Sequence, residues 1–333
     1  MSDTMYIYNP YNNNNVTEKY IEIVESAFKK SGYNVFFLTK LSKNSNERAG
    51  IFVVTLEDAI LAKRMKYSPI YTWSQGIIPE ESYMRTKSNL RKAILSFLER
   101  KGLRSSDYVF YVSKAMENHY IQKYRINNTA YIMPCFDSDI NRSSFFTDSK
   151  YKNNVFVYAG GAQIWQCLDK TISIYSEVER RVKDAQLLIL SKERNAILPL
   201  LEKYEVKNYS IDFVDHDKMA EVLKKAKFGF CIREENIVNK VATPTKLSTY
   251  VGNGLITVYS SFVEDFGSLA KNDPFCIDIE EKDSIERIID LCNTPIAPNE
   301  VYYHHNRVFG EYFSSNYHIK NICSFIGASD STN

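Results

Sequence analysis

The sequence predicts an α/β protein with two similar domains, each built on a parallel sheet that helices cover on both faces. Short apolar runs of strand length alternate with amphipathic stretches of helix length along the chain, a pattern typical of parallel sheets. The length of 333 residues exceeds one typical domain and suits two of about 150 residues each. The alternation breaks over residues 137–154, where Ser, Asn, Asp and Lys dominate, and this break predicts the domain boundary.

The first half of the chain contains six strand-like runs. The expected strands lie at residues 6–8, 35–38, 51–54, 70–73, 108–112 and 131–133. The expected helices lie at residues 15–31, 56–66, 82–101 and 113–124. Asn15 and Glu18 have the spacing of a capping box at the first helix, and Gly32 is placed to end that helix. Ser113 is the predicted N-cap of the fourth helix.

The second half repeats the alternation. The expected strands lie at residues 155–158, 187–190, 211–214, 228–232 and 255–259. The expected helices lie at residues 167–182, 219–226, 245–253, 283–291 and 306–325, with Asp217 as the cap of the second and Gly254 closing the third. We therefore expect domains at residues 1–145 and 146–305. A C-terminal helical segment, 306–333, should pack back toward the first domain.

Bulk composition excludes several functions. A net charge of +2 gives no general attraction for nucleic acid, and no apolar run approaches the length needed to span a membrane. The N-terminus lacks the features of a secretory signal. The six cysteines show no C-x-x-C spacing and lie mostly in apolar runs, which fits free thiols in a reducing cytoplasm. We expect a cytoplasmic protein without a metal or cofactor, and we expect His304 and His305 at the surface.

A glycine turn follows the first strand of the second half. Gly160 and Gly161 come directly after the apolar run, and Gln163 lies two residues further on. Glycines let backbone N–H groups approach an anion closely, and a following helix start favours negative charge. The turn therefore indicates a phosphate-binding site, with an ordinary strand-to-helix turn as the alternative.

A charged loop joins the strand at 228–232 to the next helix. Its residues that we expect at an anionic ligand are Arg233, Glu234, Ala242, Thr243, Pro244, Thr245 and Lys246. Pro244 suits a helix start, and Thr243 is placed as the cap. Arg233 and Lys246 could supply fixed positive charge to an anionic leaving group beside the helix N-terminus. A solvated loop with internal ion pairs is the alternative.

Two loops of the first half carry polar residues after strands. Gln75, Glu80 and Glu81 follow the fourth strand, where a carboxylate could activate or orient an acceptor hydroxyl. Acidic residues equally suit the first turn of a helix. Tyr11 and Asn12 follow the first strand and could bond sugar hydroxyls, although turns favour the same residue types.

The segment 228–259 resembles the donor-binding segment of GT-B glycosyltransferases of bacterial cell-surface polysaccharide synthesis. The shared pattern of strand, Arg, loop, Pro-x-Lys, Tyr, Gly and strand is matched by Arg233, Pro244-Thr245-Lys246, Tyr250 and Gly254. Gly160-Gly161 matches the glycine loop of that family, and residues 73–82 look like the acceptor loop of a capsule or O-antigen subgroup. The family usually holds a nucleotide ribose with a Glu five residues before the closing Gly, where this chain has Thr249.

The resemblance implies two Rossmann-like domains of the GT-B type facing across a cleft. It implies metal-independent transfer of a sugar from an activated donor, held by the second domain, to a glycan or lipid-linked glycan acceptor on the first. The residues it implies in catalysis are Gln75, Glu80, Arg233 and Lys246, and Thr249 joins the donor site. A non-catalytic glycan- or partner-binding subunit and a sugar-nucleotide epimerase are the alternatives. The basic stretch between Lys87 and Arg104 suggests a peripheral contact at the inner membrane face, against a plain solvated helix face.

Overall fold

The structure, a computed structural model, describes residues 4–11, 15–44 and 49–330. Within these ranges the chain forms two six-stranded sheets and divides into two compact units. Unit 1 comprises Met1–Cys135, Lys240–Thr243 and Ser314–Asn333, and unit 2 comprises Phe136–Asn239 and Pro244–Phe313. No helix among the described residues is long and apolar enough to cross a membrane.

The elements alternate between strand and helix through most of both units. The strands are β1 (Thr4–Tyr8), β2 (Asn34–Leu38), β3 (Ala49–Val53), β4 (Ile70–Ser74), β5 (Tyr108–Tyr111), β6 (Thr129–Ile132), β7 (Val155–Ala159), β8 (Gln186–Leu190), β9 (Tyr209–Asp212), β10 (Phe228–Cys231), β11 (Ile256–Tyr259) and β12 (Cys276–Asp278). The helices are α1 (Asn15–Lys30), α2 (Leu56–Arg64), α3 (Ile78–Thr86), α4 (Asn89–Ser105), α5 (Lys114–Tyr124), α6 (Arg142–Phe145), α7 (Leu168–Arg181), α8 (Arg194–Lys203), α9 (His216–Leu223), α10 (Ile237–Val241), α11 (Thr245–Gly252), α12 (Glu264–Ala270), α13 (Ser284–Asn293), α14 (Pro298–Phe309) and α15 (Ser315–Asp330). A short 3₁₀ helix covers Ile164–Gln166.

The sheet of unit 1 has the strand order β2-β1-β3-β4-β5-β6, and all of its strands are parallel. The central strands β3, β4 and β5 are buried along their whole length, as expected when helices cover both faces. The order reverses between β1 and β3, so the carboxyl ends of these strands form the crevice where open α/β sheets bind ligands. Helix α15 packs against α1 with Ile322 and Ile326 fully buried.

The sheet of unit 2 has the strand order β12-β11-β10-β7-β8-β9 and is also entirely parallel. Its core stacks Phe156 on Phe228 with ring centroids 4.4 Å apart, and Phe230 lies alongside. This is the dinucleotide-binding strand order, and it reverses between β7 and β10. The loops after β7 and β10, which contain the glycine turn and Arg233, therefore meet at the same point of the sheet.

Several local predictions are confirmed. All eleven predicted strands are present, with ends displaced by one or two residues at most. Ser113 caps α5, because its Oγ accepts a hydrogen bond from Met116 N at 3.0 Å. Gly32 and Gly254 adopt positive φ angles of 92° and 73° after their helices, a conformation that glycine enters without strain.

Other local predictions are wrong. The single helix expected at 82–101 is two helices, because the chain breaks at Lys87 in the left-handed region with φ of 54°. The helix expected at 306–325 is likewise replaced by α14 and α15, which residues 310–314 separate. Helix α9 already begins at His216, with Asp215 in the cap position that was assigned to Asp217.

Further features differ from the sequence expectation. Strand β12 and helices α6, α8, α10 and α12 were not predicted. His305 is fully buried instead of exposed, with Nδ1 2.7 Å from Asp273 Oδ2 and Nε2 3.0 Å from the Leu255 carbonyl oxygen. The predicted capping box at Asn15 involves a side chain outside those the structure describes.

Candidate functional site

A cavity of about 510 Å³ lies in unit 2 at the carboxyl ends of β7 and β10. Its walls come from the glycine turn, the loop after β8, the loop after β10 and the start of α11. The lining includes Asp137, Gly160, Gly161, Gln166, Glu193, Arg233, Pro244, Thr245, Lys246, Thr249 and Tyr250. The strand order reverses at the same place, so the topology and the cavity indicate one ligand site.

The glycine turn brings its backbone against a cationic side chain. Gly160 has a φ of 150°, and a Cβ at this position would lie 2.9 Å from Lys246 Nζ. Glycine therefore allows the Lys246 ammonium to approach the chain directly after β7. The Tyr158 ring lies beneath the same ammonium, with its centroid 4.4 Å from Nζ, and Tyr158 Oη donates to the Gly161 carbonyl oxygen.

Arg233 and Lys246 converge on one neutral acceptor. Gln166 Oε1 accepts hydrogen bonds from Lys246 Nζ at 2.7 Å and from Arg233 Nη1 at 3.1 Å. Burial, and secondly the Arg233 charge, lower the pKa of Lys246 to about 7. Two cations held this close repel each other, so an anion placed between them would be bound strongly.

Tyr250 lines the cavity and contacts both β7 and β10. Its hydroxyl accepts a hydrogen bond from Ala159 N at 2.9 Å, and its ring lies against Gly229, where a Cβ would come within 2.7 Å. The tyrosine therefore joins α11 to the ends of β7 and β10. Tyr250 is fully buried, as is Tyr158 beneath the Lys246 ammonium.

Thr249 meets a carboxylate from another part of unit 2. Its hydroxyl donates to Asp137 Oδ2 at 2.6 Å, and Ser248 Oγ donates to Asp137 Oδ1 at 2.9 Å. Asp137 N in turn donates to Ser248 Oγ at 3.1 Å. Both Asp137 and Thr249 line the cavity, so an acidic oxygen stands beside the position where the resemblance led us to expect Glu.

The start of α11 differs in detail from the prediction. Pro244 occupies the cap position, and the helix has no side-chain cap hydrogen bond. The cap predicted at Thr243 is therefore wrong: Thr243 Oγ1 instead accepts a hydrogen bond from Cys135 N at 3.0 Å. Pro244, Thr245 and Lys246 all line the cavity at this helix start.

Some predicted donor residues lie away from the cavity lining. Gln163 is exposed and donates to Glu193 Oε1 at 3.1 Å, so it contacts the cavity wall through Glu193. Glu234 is exposed, and its carbonyl oxygen accepts from Asn239 Nδ2 at 2.9 Å. Ala242 and Thr243 belong to unit 1. The lining thus brings together the predicted residues Gly160, Gly161, Arg233, Pro244, Thr245, Lys246 and Thr249, whereas Gln163, Glu234, Ala242 and Thr243 lie outside it.

Unit 1 has a smaller cavity of about 170 Å³ at the ends of β3 and β4. Gln75 lines it and donates to the Val54 carbonyl oxygen at 3.1 Å. Glu99 from α4 is the buried carboxylate on its wall. Burial raises the pKa of Glu99, although Lys123 opposes that rise.

Glu80 and Glu81 lie outside the lining of this cavity. Glu80 is buried and pairs with Lys123 Nζ at 2.9 Å, and Lys123 also bonds Glu99 at 2.9 Å. The Glu81 carboxylate covers Gly76, where a Cβ would come within 2.3 Å of Oε1. Both residues lie in the first turn of α3, where acidic side chains suit the helix start.

Tyr11 is the last described residue of the loop after β1. Its hydroxyl donates to Asp58 Oδ2 at 3.1 Å, and Asp58 also accepts from Thr55 Oγ1 at 2.7 Å. The Tyr11 ring is exposed. Asn12, predicted with it, lies outside the described residues.

Several lining residues of the unit 2 cavity were not predicted as site residues, among them Gln166 and Asp137, which have polar contacts to predicted ones. Gln166 is three residues beyond Gln163, in the 3₁₀ helix that precedes α7. Asp137 lies in the stretch that the loss of periodicity marked as a linker, 112 residues from Thr249 in sequence. Polar residues directly after a glycine turn were a usable signal for Gln166, whereas nothing in the local sequence joins Asp137 to Thr249.

No family model matches the chain, and no curated protein matches it in sequence. Solved structures match it in fold. Sucrose-phosphate synthase from Thermosynechococcus elongatus has a TM-score of 0.68 and 11% identity, with 99% of this chain and 100% of that chain covered. An α-glucosyltransferase bound to UDP and a 13-mer DNA has a TM-score of 0.63 and 14% identity, covering 98% and 100%.

A third structure, a variant of S. aureus TarM bound to fondaparinux, α-GlcNAc-glycerol and UDP, has a TM-score of 0.62 and 9% identity. The match covers 85% of this chain and 56% of that chain, so this chain spans little more than half of that protein. Likeness at such low identity shows the fold alone. The predicted fold class is confirmed: the chain has two Rossmann-like α/β domains of the GT-B type.

Proposed function

We propose that the protein is a glycosyltransferase that binds a nucleoside diphosphate sugar in the 510 Å³ cavity of unit 2. The observation that carries this proposal is the convergence of Arg233 and Lys246 on Gln166 Oε1 beside the glycine turn. This arrangement has the charge and the open backbone that a diphosphate needs. The two UDP complexes among the similar structures, together with the sequence resemblance, support UDP as the nucleotide to test first.

In this proposal the two cations stabilise the leaving diphosphate. Negative charge develops on the diphosphate as its bond to the sugar breaks, and fixed cations at that point lower the barrier without reorganising. The start of α11 adds its dipole at Thr245. Charge stabilisation is therefore assigned to protein groups, and transfer requires no metal ion.

We assign recognition of the nucleoside ribose to Asp137 and Thr249 together. The Asp137 carboxylate is fixed by Ser248 and Thr249, and both Asp137 and Thr249 line the cavity. A carboxylate accepts hydrogen bonds from neighbouring hydroxyl groups, and a ribose offers two of them. The acid that position 249 lacks is then supplied from the chain segment that follows β6.

We assign the acceptor to unit 1, at the cavity lined by Gln75. The acceptor class that we propose is a glycan or a lipid-linked glycan of surface polysaccharide synthesis, as the sequence resemblance implies. Gln75 is placed to bond an acceptor hydroxyl. Glu80 is held by Lys123, so we assign it the positioning of α3 against α5 and not proton transfer.

Calorimetric titration with UDP tests the donor site. We expect wild-type protein to bind UDP and Arg233→Ala to bind it at least about tenfold more weakly, because a charged hydrogen bond to phosphate is lost. Lys170→Ala is the matched control: Lys170 pairs with Glu280 at 2.7 Å and does not line the cavity. Equal UDP affinity in wild type and Arg233→Ala, or no affinity for any nucleoside diphosphate, would contradict the assignment.

Transfer itself needs a second measurement. Wild-type protein, a panel of UDP-sugars and an extract of lipid-linked glycans should yield labelled product and free UDP, and Arg233→Ala should yield little of either. UDP binding without transfer to any acceptor would favour the non-catalytic subunit. Epimerised UDP-sugar formed without an acceptor would favour the epimerase.

A further inference from the structure

The solvent-facing side of α4 carries an exposed apolar line. Leu90, Ile94 and Phe97 are 74%, 54% and 67% exposed, which is unusual for side chains of this size. Their spacing of four and three residues places them on one face of the helix, one turn apart. Exposed apolar side chains gathered on one face, unlike scattered ones, indicate an interaction surface.

The same face continues as a basic surface. Lys101 and Arg104 follow Phe97 at the same helical spacing, and Arg91 and Arg100 flank the line; all four are exposed. Glu99 is the single acidic residue in the sequence of α4, and it is buried on the opposite side against Lys123. The exposed face of α4 is therefore apolar in its first half, basic in its second half and free of acidic residues.

Unit 1 holds this helix firmly by its other side. Ser88 caps α4 by accepting from Arg91 N at 3.3 Å. Gly102 lies directly against α2, where a Cβ would come within 2.4 Å of the Leu56 carbonyl oxygen. The buried side of α4 provides the packing, so the exposed apolar line contributes little to the core of unit 1.

We propose that this face, Leu90 to Arg104, docks unit 1 on an anionic membrane surface. Leu90, Ile94 and Phe97 enter the headgroup region, and the Lys and Arg side chains contact lipid phosphates. An anionic bilayer matches both halves of the face, because it offers an apolar interior beneath a layer of negative charge. Helix α4 lies in the plane of the surface, and no described helix spans the bilayer.

The proposed membrane face belongs to unit 1, and so does the cavity that we assign to the acceptor. Leu95 of α4 and Ile78 of α3 line the 170 Å³ cavity of unit 1, and Ile78 is itself exposed. The proposed membrane face and the proposed acceptor cavity thus share helix α4. A lipid-linked acceptor held in the bilayer would meet unit 1 from this side.

Vesicle sedimentation tests the docking face. The 333-residue chain is mixed with vesicles of phosphatidylcholine alone or of phosphatidylcholine with phosphatidylglycerol, and the pelleted fraction is measured at low and raised salt. We expect binding to the anionic vesicles only, and weaker binding as salt screens the charges. Each basic residue at an anionic surface strengthens binding by roughly fivefold.

Two variants separate the apolar and basic contributions. Leu90→Ser/Ile94→Ser/Phe97→Ser and Arg100→Gln/Lys101→Gln/Arg104→Gln should each lower vesicle affinity at least about tenfold. The control Lys29→Gln/Lys30→Gln/Lys63→Gln removes the same charge from exposed positions elsewhere in unit 1 and should bind as wild type does. Urea unfolding, followed by tryptophan fluorescence on each variant, reports on folding, and UDP affinity reports separately on the donor site.

Three results would overturn the proposal. Equal losses in the control and the α4 charge variant would show a bulk charge effect. Wild-type binding by the serine variant would remove the apolar line from the interaction. Absence of vesicle binding, with a wild-type dimer in solution that the serine variant abolishes, would show that the face is an interface between two copies of the chain.

Discussion

The pKa of Lys246 is about 7 because of burial and then the Arg233 charge, and it predicts that the proposed nucleotide binding depends on pH. Above that pH the free amine is mostly neutral, and a bound diphosphate favours the charged form and raises the pKa. Binding should therefore take up a proton at about pH 8 and almost none at about pH 6. Calorimetry in buffers of different ionisation enthalpy measures this uptake. Lys246→Met should abolish the difference between the two pH values, and an unchanged uptake in that variant would assign the proton to another group.

The proposed role of Asp137 in binding ribose can be tested separately from the proposed phosphate contacts. We expect Asp137→Asn to weaken UDP binding about tenfold, because an uncharged amide oxygen is a poorer acceptor for ribose hydroxyls. Inorganic pyrophosphate lacks a ribose and should bind the variant and the wild type equally. Titration of both ligands makes the comparison. An equal loss for both ligands would mean that Asp137 shapes the whole cavity and does not recognise ribose.

Among the residues that line the unit 2 cavity, the sequence indicated those whose chemistry is local and left out those that distant segments bring in. Arg233, Lys246 and the two glycines could be identified because each follows a strand or begins a helix, where anions bind. Asp137 could not, because only the folded unit places it against Thr249. The apolar pattern is lost around Asp137, which indicated a linker. Ligand-binding loops often lack such a pattern too.

Among the elements of unit 1, α3, α4 and α5 are joined by a buried charge cluster. Lys123 of α5 bonds both Glu80 of α3 and Glu99 of α4. Removing the Lys123 ammonium takes away the cation that both buried carboxylates share. The loss of free energy of unfolding is far larger than for a surface ion pair. We expect Lys123→Met to lower the free energy of unfolding by about 3 kcal/mol. Urea unfolding followed by tryptophan fluorescence measures the change.

The same variant should show a characteristic pH dependence. The folded-state pKa of Glu99 is already raised by burial, and loss of Lys123 raises it further. The folded state then binds more protons than the unfolded state, so stability is lost as pH rises through the folded-state pKa. The deficit of Lys123→Met should be larger at about pH 8 than at about pH 5. Lys29→Met, which breaks the exposed ion pair with Glu25, should change the free energy of unfolding by less than about 1 kcal/mol at both pH values.

Strands were easier to predict than helices: all eleven predicted strands are present, whereas helices α6, α8, α10 and α12 were not predicted. Runs of three to five apolar residues marked the strands, and the 3.6-residue period marked several of the longer helices. The helix break at Lys87 has no glycine or proline to signal it, since a lysine takes the left-handed conformation there. Residues 310–314 separate α14 from α15 although apolar residues continue through them. Gly310, at the C-cap of α14, was an available signal for the second break.

At the scale of the whole molecule, repeated alternation predicted two α/β halves, and the structure has two compact units. Periodicity reports on neighbours along the chain, so it does not say which unit a late helix joins. Helix α15 packs against α1 of unit 1, with Cys323 Sγ 3.4 Å from the Ala27 carbonyl oxygen and the Phe325 ring edge-on to Tyr108. Unit 1 thus contains the first and the last helix of the described chain.

This arrangement predicts that the stability of unit 1 and the donor affinity of unit 2 can be changed separately. Ile322→Ala/Ile326→Ala removes two fully buried side chains of α15 and should destabilise unit 1 by roughly 4 kcal/mol or more. UDP affinity should stay within about twofold of wild type, because every residue that lines the donor cavity belongs to unit 2.

The matched comparison is Ile172→Ala/Ile288→Ala, which removes two fully buried side chains from the core of unit 2. Scanning calorimetry with and without UDP, together with titration well below the unfolding temperature, measures both properties. Bound UDP stabilises only the unit that binds it, so it should raise the unfolding temperature of unit 2 in the α15 variant as it does in wild type. An equal loss of UDP affinity in the two variants would contradict the prediction, because it would show that the donor site depends on the packing of α15.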